Sequence, residues 1–135
     1  MEFNVDHMCF ACGKDNPIGL KLTFSHEGDA VTSTFVADNA YQGYEGIIHG
    51  GIIATLLDEV MVQCVWAKAG SSATAKLNLQ YRNPAPTQRP ILLRGWITAV
   101  RRNGRVYETA ATACLDDGTM LAEATGMIIR TGNGE

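Results

Sequence analysis

Residues 46–69 read GIIHGGIIATLLDEVMVQCVWAKA, and the rest of the chain is arranged around them. The stretch opens on His49-Gly50-Gly51 and runs on as an apolar series broken by two adjacent carboxylates, Asp58 and Glu59. It ends at Lys68, with Gly70 just beyond. On a wheel of about 100° per residue, Ile53, Leu56, Leu57, Val60 and Cys64 fall together, and Ala54 and Met61 widen the sector. Thr55, Glu59 and Gln63 form a narrower polar stripe. Asp58 lies between the two, beside Val62 and Val65. The spacing predicts one long, largely buried helix. Its two carboxylates are then unequal. Glu59 has a polar face and reads as structural. Asp58 stands at an apolar margin, where burial raises a carboxyl's pKa and sharpens its basicity. An unpaired buried carboxylate is costly, so Asp58 has either a bonding partner on a neighbouring element or a chemical role.

The start of the helix is the second reactive feature. Gly50 and Gly51 expose backbone N–H groups that have no partner within the helix, at the positive end of its dipole. Without a Cβ, a ligand can approach them closely. A polarised carbonyl or an oxyanion needs such donors. His49 reads as a cap or orienting group rather than a general base.

Outward from the helix the period changes to two. On the N-terminal side, Leu20, Leu22 and Phe24 alternate with polar residues as a half-buried strand, Glu27-Gly28-Asp29 is a turn, and residues 30–37 return. Residues 38–46 form a loop. On the other side, Ala75, Leu77, Leu79 and Tyr81 alternate with Lys76, Asn78, Gln80 and Arg82. Pro84-Ala85-Pro86 stops that strand. Residues 91–100, 106–115 and 120–130 follow as strands, joined by the two-residue hairpin signals Asn103-Gly104 and Asp117-Gly118. Two strands, one helix and four strands, with hairpin links, predict an antiparallel sheet curled about the helix.

Composition narrows the function classes. Of 135 residues, 46% are hydrophobic and 19% charged, which supports a packed core over disorder and suits one domain, residues 1–135. A net charge of −3 argues against nucleic acid as a partner. The N-terminus lacks the pattern of a signal peptide, and carboxylates interrupt the most apolar run, so neither secretion nor membrane insertion is expected. The expected compartment is the cytoplasm, with Cys9, Cys12, Cys64 and Cys114 reduced. His7, Cys9 and Cys12 cluster in sequence. However, no second CxxC or HxxxH follows to complete a four-ligand metal site, so a packed turn and no metal are expected there.

Several segments resemble one family. His49-Gly50-Gly51 with Asp58 nine residues after the histidine is similar to the hotdog-fold acyl-CoA thioesterases of the phenylacetic-acid-type (PaaI-like) branch, in the 4-hydroxybenzoyl-CoA thioesterase superfamily. So are residues 74–81 (TAKLNLQY) running into Asn83-Pro84-Ala85. So too is the opening CFACG at residues 9–13 followed by NPIGL at residues 16–20. The resemblance implies an α+β hotdog fold, a six-stranded antiparallel sheet wrapped around one long central helix. It implies hydrolysis of an acyl-CoA or aryl-CoA thioester to free acid and CoA, with no cofactor.

Carried over by position, the Gly50 N–H polarises the carbonyl, and Asp58 is general base or nucleophile. Thr74 helps to hold the water. Some relatives place an amide side chain six residues before the histidine. Gly43 stands there in this chain, and the resemblance gives the role to its neighbour Gln42. The residues themselves, not the family's positions, suggest the rest: His49, Gly51, Ile48, Ala54 and Met61 for substrate binding, and Arg101, Arg102 and Arg105, clustered at the Asn103-Gly104 turn, for the CoA phosphates. Arg82 and Arg89 flank another loop.

One step is independent of the resemblance. Gly50 and Asp58 are eight residues apart, about 12 Å along a helix. A base and an oxyanion donor must both come within about 3 Å of one reacting carbon. If both act, they come from different chains, across a two-fold dimer interface. The hotdog family's habit of pairing agrees with this, and dimers of dimers are a further option. The rival readings are a non-catalytic hotdog module that binds acyl-CoA or a protein partner, and a hydratase. The hydratase is disfavoured because His49 lies in HGG rather than in an HFP-like setting.

Overall fold

The structure is a computed structural model that describes residues 1–132. It contains strands β1 (Ser25–Glu27) and β2 (Ala30–Val36), and a 3-10 turn at Asn39–Tyr41. The helix α1 (Gly50–Ala69) follows, then β3 (Ser72–Tyr81), β4 (Pro90–Arg101), β5 (Val106–Leu115) and β6 (Met120–Arg130). The strands form one sheet in the order β1-β2-β4-β5-β6-β3, every neighbouring pair antiparallel. Helix α1 lies across the face of this sheet and touches β2 through β6. This is the six-stranded sheet around one helix that the sequence predicts.

The period-two pattern becomes the core. Along β5, Tyr107, Thr109, Ala111, Ala113 and Leu115 face inward, and β4 adds Ile91, Leu93 and Gly95. The helix answers with Ile53, Leu56, Leu57, Val60, Met61, Cys64 and Val65, all buried. By length and composition alone α1 could cross a membrane. Here that apolar sector lies against strands. Where it crosses β4, a Cβ on Gly95 would sit 2.7 Å from the Val60 carbonyl oxygen, so backbone rests on backbone.

Three local readings are corrected. Leu20 and Leu22 are buried as expected, but they belong to an extended segment outside the sheet. Their N–H groups bond to the carbonyls of Phe10 and Ala11, and Lys21 between them has φ +55°, which breaks a pleat. Only Ser25–Glu27 pairs with β2. The β4–β5 link is not a two-residue turn. Arg101 pairs with Val106, and Arg102, Asn103 and Gly104 in between all have positive φ. The β5–β6 link is also longer than Asp117-Gly118, because the Leu115 N–H bonds to the Thr119 carbonyl.

Strand β3 forms one edge of the sheet, with a bulge against β6 between Thr74 and Lys76. A bulge places two residues opposite one and shifts the alternation beyond it. Thr74 and Tyr81 are an odd seven residues apart, so a regular strand would point them to opposite faces. Both nevertheless reach α1.

Candidate active site

The loop before α1 ends at His49, which is extended (φ −58°, ψ 136°) and caps the helix. Its Nδ1 accepts the Gly51 N–H at 2.8 Å, and its carbonyl accepts from Ile52 and Ile53. The histidine therefore does what the sequence suggested, and the cap occupies Gly51's donor. The Gly50 N–H has no partner among the described residues. Tyr81 donates its hydroxyl to the Gly50 carbonyl at 2.6 Å, tying the helix start to the end of β3.

A cavity of about 630 Å³ opens at this end of the helix. Gly43, Ile47, Ile48, Gly50, Ile53 and Leu121 form much of its wall, and Tyr81 at the end of β3 stands at it with the next two residues, Arg82 and Asn83. The volume lies within the range of about 300–1,000 Å³ usual for ligand pockets. Arg82 brings a cation to this wall, although its Nε also bonds to Glu123 at 2.7 Å.

Asp58 stands two turns further along. It is half-buried and accepts the Thr74 hydroxyl on Oδ1 at 2.6 Å. The structure thus brings together Asp58 and Thr74, and separately Gly50, His49 and Ile48. The two groups lie at different levels of one helix, about 12 Å apart in rise.

The remaining candidates go elsewhere. Gln42 accepts the Gly46 N–H at 3.1 Å and borders a separate shallow cleft with Tyr41 and Ile52, whereas Gly43 faces the cavity. Met61 is wholly buried in the core, and Ala54 is half-buried away from the cavity wall. Arg101, Arg102 and Arg105 lie at the far end of the sheet. The Arg105 carbonyl accepts from Arg130, and the next residue, Thr131, bonds to Ser71 just past the helix C-terminus. Some 30 Å of helix separates that end from Gly50 in the same chain. Arg101 is also paired with Glu108. Position in a hairpin tip could not show which end of the helix it would meet.

Glu59, which the sequence placed on a polar face, is desolvated: burial pushes its carboxyl up, opposed by hydrogen bonds from Gln63 and Cys12. Beside it, burial lifts the Cys12 thiol to about 12, with Cys9 and Glu59 adding to the shift. The polar stripe is covered by the N-terminal segment, a long-range contact that helical periodicity cannot reveal. Tyr81 was given no role by the sequence. Its only signal is its place at the end of an alternating strand.

Against known proteins, the profile of the thioesterase superfamily matches residues 45–115, just over half of the chain. The chain belongs to that superfamily. The match contains the capped helix start, Asp58, Thr74 and Tyr81. The acyl-coenzyme A thioesterase THEM4 of Bos taurus is 24% identical over 123 residues, covering 90% of this chain and 50% of that protein. The chain thus spans about half the length of this relative. Among solved structures, the thioesterase superfamily protein RHA08564 has a TM-score of 0.81 at 28% identity, covering 88% of this chain and 61% of that one. The protein smu.793 from Streptococcus mutans, solved with acetyl CoA bound, has a TM-score of 0.76 at 21% identity, over 84% and 91%. PaaI of E. coli, from its phenylacetic acid degradation operon, has a TM-score of 0.77 at 10% identity, over 84% and 81%. The last two share the fold: this is a hotdog-fold member of the thioesterase superfamily.

Proposed function

We propose that the chain hydrolyses acyl-CoA thioesters as a dimer whose sites combine the helix start of one subunit with Asp58 of the other. The observation that carries this reading is the Gly50 N–H, left without a partner by the His49 cap and placed at the wall of a largely apolar cavity. A thioester carbonyl bound there is polarised by that donor at the positive end of α1. Asp58, oriented by Thr74, removes a proton from water as the water attacks the carbonyl carbon. The oxyanion so formed rests on the Gly50 N–H. The C–S bond then breaks, the acid leaves, and the CoA thiolate is protonated. Attack by Asp58 itself, through an anhydride that water then opens, uses the same groups. The acyl-coenzyme A thioesterase activity named for THEM4 and the acetyl CoA held by smu.793 support this substrate class.

Strand β3 supports the dimer. Its outer edge has no neighbour among the described strands, and Lys76, Leu77, Asn78, Gln80 and Tyr81 on it are exposed. An edge of ten residues with free N–H and C=O groups pairs readily with a copy of itself. Because of the bulge, Thr74 and Lys76 count as neighbours in the ladder, as β6 already counts them. Asn78 is then the midpoint between Thr74 and Tyr81. An antiparallel pairing centred on Asn78 sets Thr74 of one subunit opposite Tyr81 of the other. That carries Asp58 towards the second subunit's Gly50 and cavity.

Two inactive variants test both chemistry and pairing. Asp58→Asn removes the base. Gly50→Pro removes the donor at a first helical position that tolerates proline, and His49 already has the extended conformation a residue before proline needs. Each alone is expected to lose thiol release from acyl-CoA by roughly 10²–10⁴-fold. Co-expressed, they form mixed dimers with one intact site each and regain about a quarter of wild-type activity. Full activity of Asp58→Asn would sink the mechanism, and no recovery on mixing would sink the shared site. A second reading, binding without turnover, is favoured by Gly43, at the position where the resemblance places an amide in some relatives, and by Gln42 being tied to Gly46. Saturable acyl-CoA binding with no thiol release across a broad acyl panel would select it.

A further inference from the structure

The N-terminal turn and the polar stripe of α1 meet at a feature that thioester hydrolysis does not use. Cys9 Sγ, Cys12 Sγ and a carboxylate oxygen of Glu59 all lie within 4.8 Å of one another. We propose that these three residues bind a zinc-class divalent ion that clamps the N-terminal segment onto the central helix.

The turn is built to aim its sulfurs. The Gly13 N–H closes on the Cys9 carbonyl at 2.8 Å, and the Cys12 N–H points to Cys9 Sγ at 3.4 Å. A Cβ at Gly13 would lie 2.4 Å from the Cys9 nitrogen and 2.5 Å from the His7 carbonyl oxygen, so only glycine closes this turn. Ala11, between the cysteines, is anchored in the core, and the Phe10 and Ala11 carbonyls bond to Leu20 and Leu22. The sulfurs are therefore held by backbone over Glu59 rather than left on a loose terminus.

Glu59 itself lacks a cation. Among the described residues it has no Lys, Arg or His partner, and Gln63 Nε2 donates to its Oε2 at 3.0 Å. That leaves the other oxygen for a metal, with Gln63 fixing the carboxylate from behind. Ligands about 2.3 Å from a tetrahedral zinc stand about 3.8 Å apart, so the cluster needs only a small contraction. Two thiols and a carboxylate select zinc over the harder magnesium and calcium. A neighbouring cavity of about 240 Å³, bordered by Cys12, Glu59 and Gln63, has room for a water as fourth ligand.

The test uses the full chain, purified, reduced and stripped with a chelator, then titrated with cobalt(II) and zinc(II). One equivalent of cobalt per chain is expected, with thiolate-to-cobalt absorption that zinc abolishes. Cys12→Ser should lose that absorption. Glu59→Gln, which keeps shape and a bond to Gln63, should weaken binding at least about tenfold, since even outer-shell losses cost 10–100-fold. Circular dichroism of each variant separates loss of a ligand from loss of fold, and the wild-type titration stands without them. Reduced wild-type protein that takes up neither ion overturns the site, as does unchanged affinity in folded Glu59→Gln. Recovery of the chain with a Cys9–Cys12 disulfide and no metal would mark a redox pair and overturn it equally. None of these outcomes depends on thioester hydrolysis.

Discussion

Asp58 and Glu59 are neighbours in sequence and differ in everything around them. One meets a threonine hydroxyl from the sheet edge, the other two cysteines and a glutamine beneath the N-terminal turn. Helical spacing separated them correctly but could not say what covers each. The segment that covers Glu59 is far away in the chain, and so its desolvation was not legible in the helical spacing. The Asp58–Thr74 bond carries its own prediction. Thr74→Val leaves the carboxylate in place but removes its donor. A hydrogen bond to a charged group is worth about 1.5–3 kcal/mol, so kcat for thiol release should fall by roughly tenfold to a hundredfold. An unchanged kcat would leave Thr74 a purely structural residue. Tyr81→Phe removes the bond to the Gly50 carbonyl and should cost about 1 kcal/mol of stability, read by chemical denaturation.

At the scale of elements, the helix and strands β2 through β6 were legible because amphipathic periods of 3.6 and 2 survive in the buried faces. Strand β1 was not, because a positive φ at Lys21 leaves the apolar alternation intact while ending the pleat. The bulge in β3 was invisible for the same reason. TAKLNLQY alternates cleanly as letters, and reading it as one regular pleat turns Thr74 away from the helix. Where α1 crosses β4, the sequence offered only a glycine within a strand. The contact of Gly95 with Val60 makes that glycine obligatory. Gly95→Ala should push the helix off the sheet and cost about 1–3 kcal/mol, seen as a lower denaturation midpoint. A neutral substitution would mean that the helix has slack at this crossing.

For the whole molecule, helix geometry calls for a second chain if Gly50 and Asp58 act on one carbonyl, but does not choose a register. The proposed register comes from the bulge and the edge of β3. The pairing centred on Asn78 makes a specific claim: a charge placed there faces its own copy across the two-fold axis. Asn78 is exposed in the single chain, so Asn78→Lys should leave the fold intact. It should weaken the dimer by like-charge repulsion and lower hydrolysis in step with the dimer fraction. Light scattering against protein concentration reads the first effect. Added salt should partly restore the dimer, since these charges are screened. A dimer unaffected by Asn78→Lys would place the interface elsewhere.

The bulge at 74–76 also limits how the gene can drift. Single substitutions along β3 change one contact each. The ladder passes over Ala75, so its removal would leave Thr74 and Tyr81 on one face with Asn78 midway between them. Removing any one residue from Lys76 to Gln80 would instead turn Thr74 away from the face of Tyr81 and move that midpoint. Orientation and the proposed pairing would then fail together, and no single compensating substitution could repair both. The spacing from Lys76 to Tyr81 should therefore stay fixed through descent even where its letters change. The link at residues 116–119 lies outside β3, so a change of length there leaves this spacing untouched.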